Sequence, residues 1–408
     1  MPVSRPAFSY RLLSFTLLPI WFFHAAWQAL KNHQLEYLWQ RSGFFPDKEC
    51  KQQLWIHASS VGEIELIKPL VLSLHKDQAI LVTTFTVTGY QHALRILPDN
   101  VTVRALPIDL MPISQHFIRR YNFKLALIAE TELWPETLYQ TAKNGIPLVQ
   151  INARLSSKSL NTSNWSNKIL RQTLGYFDQY LTRTEQDVTN LVSMGVPLNK
   201  ITVAGNLKYA HIASNSHDKL IKQPYILFAS THHPEENLFA GLINTLQLTQ
   251  LIVIAPRHPQ RAKDILKSLQ PLGLTIKQRS LGQAITDDTQ IYLADTLGEL
   301  KNFMAFADLV IMGGSFEETG GHNVLEPVRL GKAVITGPSD QNIRQDIALL
   351  LKHDAIVQVK GIEQLAITIS YILQYPAALE KLSNNAKKVM QAQNHILQNY
   401  LDVIKGYL

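Results

Sequence analysis

Short apolar runs recur along most of this chain, each followed by a helix-length stretch, and that alternation limits its fold more than any other feature. Leu54-Trp55-Ile56-His57, Ala79 to Val82, Leu125 to Ala129, Pro147 to Ile151, Ile201 to Val203, Ile226 to Phe228, Leu251 to Ile254, Leu309 to Met312 and Ala333 to Ile335 read as strands. Most are apolar at successive positions. A strand with one wet face alternates, whereas a strand buried on both faces of a parallel sheet has no polar side to show. The expected fold is therefore α/β, with doubly wound parallel sheets. At 408 residues the chain suffices for two such domains. The polar stretch His211 to Lys222, with Ser214, Asn215, Ser216 and Asp218, is the best linker candidate. The expected division is an N-terminal segment 1–31, a domain 32–212 and a domain 213–408. Two Rossmann-like domains would face each other across a cleft, with ligands beyond the carboxyl ends of the strands.

Composition narrows the partners. With 46% hydrophobic and 17% charged residues the chain is globular rather than disordered. Cys50 is the one cysteine, so no internal disulfide forms, which fits a reducing compartment. The net charge of +7 is scattered, without long basic runs or aromatic-and-basic repeats. That argues against nucleic acid and leaves anionic substrates or an anionic membrane surface. From Leu12 to Leu30 nearly everything is apolar, flanked by Arg5, Arg11 and Lys31. Its length approaches a bilayer span, but Pro19, His24 and Gln28 weaken it, and Trp21, Phe22, Phe23 and Trp27 suit the interfacial zone. No small-residue cleavage site follows. The segment reads as an uncleaved anchor or a membrane-lying helix whose basic flanks meet lipid headgroups, with the bulk of the chain in the cytoplasm.

The loops after the strands carry the chemistry. Gly313-Gly314-Ser315, Gly320-Gly321-His322-Asn323 and Glu326 follow Leu309 to Met312, with a helix expected from Asn323 to Leu330. Glycines there admit close backbone approach, a helix start offers N–H groups to a phosphate, and Glu326 suits two sugar hydroxyls. The plainer reading is a tight turn with a buried carboxylate. Ser59-Ser60-Val61-Gly62-Glu63 follows the first strand. Glu63 is either an N-terminal capping group or a general base that the helix dipole keeps ionised. Thr83 to Gly89 holds sugar oxygens or caps the next helix. Glu130-Thr131-Glu132-Leu133-Trp134-Pro135, Asn152 to Ser156 and Gly205-Asn206-Leu207-Lys208 close three further strands. In the second half, Ser230-Thr231-His232-His233 with Glu235-Glu236, Pro256-Arg257-His258 with Arg261, and Asp295 to Glu299 occupy equivalent places. Arg257 suits a bidentate phosphate contact. His232, His233, His258 and His322 lack metal-ligand spacing, so no metal is expected. Phosphate-loop and Gly-x-Gly-x-x-Gly patterns are absent from the sequence.

In order, Trp55 to Glu63, Thr83 to Gly89, Glu130 to Pro135, Asn152 to Ser156, Gly205 to Lys208, Pro256 to His258, Asp295 to Leu300 and Gly313 to Glu326 resemble the 3-deoxy-D-manno-octulosonic acid (Kdo) transferases of lipopolysaccharide assembly. The resemblance runs from the N-terminal segment nearly to the C-terminus. It implies a GT-B fold, CMP-Kdo as donor, the lipid A precursor (lipid IVA) as acceptor, and a glycosyltransferase on the cytoplasmic side of the cell inner membrane. It implies an inverting reaction without metal or other cofactor. By motif match Glu63 would be the base, and Glu130 and Lys208 would stabilise the transition state. Pro256, Arg257, Leu297, Gly298, Glu299, Asn323, Val324, Leu325 and Glu326 would hold CMP. Met304, Thr319, Val324 and Ile343 depart from residues frequent in the family, which touches acceptor detail and donor packing. The residue types suit the chemistry. Arg257, Lys208 and helix starts answer a donor with a phosphate and a sugar carboxylate. A carboxylate beside an oxocarbenium-like centre is favourable. Another GT-B nucleotide-sugar enzyme, such as an epimerase, would share the second-half motifs without needing an anchor.

Overall fold

The computed structural model describes residues 3–45, 54–155, 160, 163–210 and 217–408. Cys50, Ser156 and the first part of the expected linker, 211–216, lie outside them. The chain divides into two compact units, residues 1–212 with 394–408, and residues 213–393. The second domain expected from sequence runs to residue 408; instead the last helix, His395–Lys405, belongs to the first unit.

Unit 1 contains β1 Leu54–His57, β2 Ile80–Thr84, β3 Thr102–Ala105, β4 Leu125–Ala129, β5 Leu148–Ala153, β6 Gln179–Thr182 and β7 Ile201–Val203. They form a parallel sheet in the order β3-β2-β1-β4-β5-β6-β7. Burial on both faces explains the apolar runs. Leu54, Ile56, Ile80, Val82, Leu125 and Leu127 point into one core, shared with the helices Val61–Leu74, Val87–Ile96 and His395–Lys405. Trp55, Leu81, Ala126 and Ile128 point into the other, against the helices Met111–Tyr121 and Pro135–Lys143. The chain works outward from β1 to β3, then returns to β4 beside β1. The point where strand order reverses, the usual place for a ligand in such a sheet, therefore lies between the carboxyl ends of β1 and β4.

Unit 2 repeats the plan with β8 Tyr225–Thr231, β9 Leu251–Pro256, β10 Ile276–Gln278, β11 Ile291–Leu293, β12 Leu309–Met312, β13 Ala333–Thr336 and β14 Val357–Gln358. Their order is β10-β11-β9-β8-β12-β13-β14, all parallel. Its reversal point lies between β8 and β12. Ile226, Phe228, Ile252, Ile254, Leu309 and Ile311 face a core filled by the helices Glu235–Leu246, Ala262–Leu269 and Ile362–Gln374.

The N-terminal apolar segment is two helices, Phe8–Thr16 and Leu18–Lys31, bent by 50° at their junction. Pro19 enters the first turn of the second helix, where its missing N–H costs nothing. No single helix among the described residues is long and apolar enough to cross a membrane; the two helices reach that length and composition only as a bent pair. The pair is tied to unit 1 by polar contacts. Tyr10 donates to Asp109 at 2.6 Å, and Arg11 grips Glu136 with Nε at 2.8 Å and Nη2 at 3.0 Å. Arg11, expected from sequence at the lipid headgroups, is held instead by a buried carboxylate.

Candidate functional site

At the reversal point of the first sheet, Ser60 caps the helix Val61–Leu74 and Glu63 sits three residues on, a capping-box spacing. Glu63 Oε2 accepts the Ser59 N–H at 2.8 Å, and Oε1 accepts the Ser60 hydroxyl at 3.1 Å. Both readings of Glu63 therefore hold at once: it is a capping group and it stands at a ligand-binding edge. Contrary to the expectation from sequence, the helix dipole does not keep it fully ionised. Burial pushes its carboxyl up to about 7, the Ser59 N–H opposes, and the nearby Glu132 and Glu130 push further. A base poised near neutrality suits proton removal at physiological pH.

Glu132 is its counterpart. Burial raises its carboxyl too, but hydrogen bonding and charge from His57, with help from Ser59 and Trp134, leave it below the ordinary carboxylate range. His57 is fully buried, with Nδ1 beside Thr83 O at 3.1 Å, Nε2 on Ser59 Oγ at 3.1 Å, and Nε2 at 3.8 Å from Glu132. Two carboxylates whose surroundings separate their titrations are an arrangement able to supply a base and a permanent charge. His57 and Glu132 lie within the quoted motifs, but their pairing bridges β1 and β4 and is a tertiary fact.

Glu130 ends β4 with φ of 53°, and Asn152 on β5 has φ of 51°. Such left-handed backbone on residues other than glycine costs about 1–3 kcal/mol and clusters at functional sites. Arg154 Nη2 lies 2.6 Å from Glu130 Oε2, and Asn152 Nδ2 lies 3.3 Å from its Oε1. Asn152 Oδ1 in turn accepts the Leu207 N–H at 2.9 Å, fixing the turn Leu207–Tyr209 that bears Lys208. The sequence-predicted Glu63, Glu130 and Lys208 thus come from three loops at one edge of one sheet. The threonine-rich loop resolves toward capping: Thr86 caps the helix Val87–Ile96, and Thr83 Oγ1 accepts from Trp55 Nε1 at 2.8 Å.

The second reversal point has the opposite character. Glu235, fully buried, accepts the N–H groups of His232 and Gly314 at 2.8 Å and of Phe316 at 3.1 Å. The Gly313, Gly320 and Gly321 N–H groups bond to Ala229 O, Ser339 Oγ and Gly314 O. The glycines therefore shape the loop around internal partners rather than presenting those N–H groups to a phosphate. Gly314, at φ of 64°, has no room for a side chain: a Cβ would meet the His322 ring at 2.6 Å. Glu236 holds Arg261 with contacts of 3.0 and 3.3 Å. Arg257 is exposed at the end of β9, and among the described residues no side-chain partner holds its guanidinium.

Above this loop, His232 Nε2 and His322 Nε2 are 2.7 Å apart, and the His258 ring stands edge-on to His232 at 5.7 Å. Burial, followed by His232, Arg257 and His258, depresses His322 to about 4. Among the described residues no set of three or more histidine, cysteine or acidic side chains is arranged to hold a metal ion.

The other nucleotide candidates divide. The observed helix is Leu325–Arg329, shorter than expected, and just before it Asn323 Oδ1 accepts the Leu325 N–H at 3.1 Å. Val324 and Leu325 are buried core. Glu326 Oε1 lies 3.3 Å from Lys301 Nζ. Glu299 is gripped by Arg279 at 2.7 and 3.1 Å, while Leu297 is exposed beside Gly298, which has φ of 86°. Pro256 and Thr296 help line a hollow of about 30 Å³, about the volume of one water molecule and too small to house a nucleobase unaltered.

Comparison with known proteins follows the same lines. A family model described as 3-deoxy-D-manno-octulosonic-acid transferase (kdotransferase) matches residues 36–211. A 3-deoxy-D-manno-octulosonic acid transferase of Haemophilus influenzae is 30% identical over 90% of this chain and 91% of its own. One of Rickettsia bellii is 31% identical over 98% and 99%. The crystal structure of UDP-GlcNAc 2-epimerase from Neisseria meningitidis shares the fold at 16% identity and a TM-score of 0.56, covering 86% of this chain and 100% of that one. The two parallel-sheet α/β units accordingly resemble those of GT-B glycosyltransferases.

Proposed function

This chain belongs to the 3-deoxy-D-manno-octulosonic acid transferase family, and from that premise we propose that it transfers Kdo from CMP-Kdo to the lipid A precursor with inversion. The observation that carries the chemical assignment is Glu63, a carboxylate titrating at about 7 at the reversal point of the first sheet. Glu63 takes the proton of the acceptor hydroxyl as that oxygen bonds to the anomeric carbon. The bond from that carbon to the phosphate breaks, and its electron pair leaves on CMP. Glu132, held ionised beside His57, and Glu130 favour the positive charge that develops on the sugar ring. Lys208 and Arg257 are cations suited to the anionic donor, and Glu326 to the ribose hydroxyls, which it would reach by releasing Lys301.

The acceptor is a lipid, and the N-terminal helices suit a membrane surface. Phe8, Phe15, Ile20, Phe23 and Leu30 are exposed, while Tyr10 and Arg11 face the protein. A helix pair docked by one side and apolar on the other lies on a bilayer rather than crossing it. We place the enzyme so on the cytoplasmic side of the inner membrane. Removing the helices would take the Tyr10 hydroxyl from buried Asp109 and the Arg11 guanidinium from buried Glu136, so Phe15→Asp with Phe23→Asp is the cleaner probe. That variant keeps activity on detergent-dispersed acceptor and loses flotation with anionic vesicles.

Purified protein, CMP-Kdo and lipid A precursor test the reaction. The expected result is a lipid heavier by Kdo and CMP release only when lipid is present. CMP-Kdo consumption without a lipid product rejects the assignment.

A further inference from the structure

Two imidazoles joined through their Nε2 atoms at 2.7 Å share one proton, since two N–H groups would collide and two lone pairs would repel. The rings are inclined by only 16°, so the pair presents one flat edge above the glycine loop at the β8–β12 reversal point. Its surroundings are unbalanced. His258 and Arg257 approach from the end of β9, and Arg261 from just beyond it. Of the carboxylates at the start of the helix Glu235–Leu246, Glu235 is filled by backbone N–H groups and Glu236 by Arg261 and Thr231. Glu236 favours a positive charge on His232, but its carboxylate is shared with Arg261, and burial with His258, Arg261 and Arg257 outweighs it, so the pair rests with its single shared proton.

We propose that His232 and His322, with Arg257 and His258, form an anion subsite that takes up one proton from solvent as a phosphate or a sugar carboxylate enters. The incoming anion supplies the negative charge the cluster lacks. One imidazole becomes imidazolium, and both rings turn an N–H toward the ligand. Binding and protonation are then linked, as both depression of the free pair and its release by an anion require. The proposal rests on the reading that unit 2 binds the donor.

Calorimetry of the full chain tests it, with CMP, free Kdo and cytidine as probes at pH 6, 7 and 8, each in two buffers of different ionisation enthalpy. His322→Gln and His322→Asn are compared with the parent, their melting temperatures confirming that they fold; subtraction removes the titration of CMP itself. In the parent, anion affinity falls by up to about tenfold per pH unit more steeply than in either variant, with proton uptake that the variants lack. Linkage with CMP assigns the subsite to phosphate, linkage with free Kdo assigns it to the carboxylate, and cytidine shows none. Equal proton uptake in parent and variants, or none with either anion, overturns the proposal. Arg257→Ala separates the two levels. If it leaves CMP affinity unchanged, the donor site itself is misplaced; if it weakens CMP while His322→Gln leaves the linkage intact, only the proton coupling falls.

Discussion

The carboxyl edges of the two sheets are built on the same topology and carry opposite kinds of group, carboxylates on one and imidazoles with a guanidinium on the other. At the first, Glu63, Glu130 and Glu132 converge and remain partly open. At the second, three histidines and Arg257 converge, while Glu235 and Glu236 are buried and fully engaged. The difference lies in where each unit places its carboxylates. In unit 1 side chains from neighbouring strands tune them: His57 depresses Glu132, Arg154 pairs with Glu130, and Glu63 is left near neutrality. In unit 2 they are consumed in fastening the glycine loop, and the surface above turns basic. One edge is thereby suited to remove a proton and the other to receive an anion.

Glu63→Gln breaks the acidic edge most severely. Turnover falls about 100-fold or more with CMP affinity unchanged, because the amide keeps shape and loses basicity. The same change raises stability at high pH. Glu63 is held up to about 7 from an ordinary 4.5, so its protonated form favours folding; that contribution is complete below pH 4.5 and is lost as pH rises through 7. The variant therefore melts higher than the parent above pH 7 and alongside it below pH 4.5. Near-normal turnover would remove Glu63 as the base.

Arg257→Ala tests the basic edge. CMP affinity falls by about 1–3 kcal/mol through loss of a charge-assisted hydrogen bond, read by calorimetry, with the melting temperature unchanged because among the described residues no side-chain partner holds the guanidinium. Glu132→Gln is subtler. Glu132 pushes Glu63 upward, so its loss moves the lower inflection of the pH profile of kcat/KM toward acid. An unmoved inflection would show that the two carboxylates are not coupled. Glu326→Ala gives the smallest effect, a loss of about 1 kcal/mol in CMP affinity, since its ligand contact forms at the expense of Lys301. A larger loss than that of Arg257→Ala would shift the centre of the nucleotide site to the helix Leu325–Arg329.

Strands buried on both faces are legible because burial leaves nothing but apolar residues, as in β4, β9 and β12. Five others are not. β3 (Thr102-Val103-Arg104-Ala105), β10 (Ile276-Lys277-Gln278) and β14 (Val357-Gln358) lie at sheet edges, where polar residues are tolerated; β6 (Gln179-Tyr180-Leu181-Thr182) and β11 (Ile291-Tyr292-Leu293) are short or mixed. The loops bearing Glu63, Glu130 and Lys208 were visible because they follow strands. The partners that tune them were not, because the pairs His57–Glu132 and His232–His322 join distant segments. Expected roles for Glu299 and Asn323 met the same limit: Arg279 and the Leu325 N–H, which engage them, are assigned only by tertiary geometry.

The helix His395–Lys405 imposes an order on synthesis. Ile396, Tyr400 and Ile404 complete a core of unit 1. Tyr400 donates to Gly205 O at 2.9 Å, and Gly205, at φ of 93°, leaves Ile396 the space a Cβ would take. These residues leave the ribosome only after all of unit 2. Unit 1 is therefore begun before unit 2 and finished after it, and the turn carrying Lys208 gains its final support only once unit 2 has been synthesised.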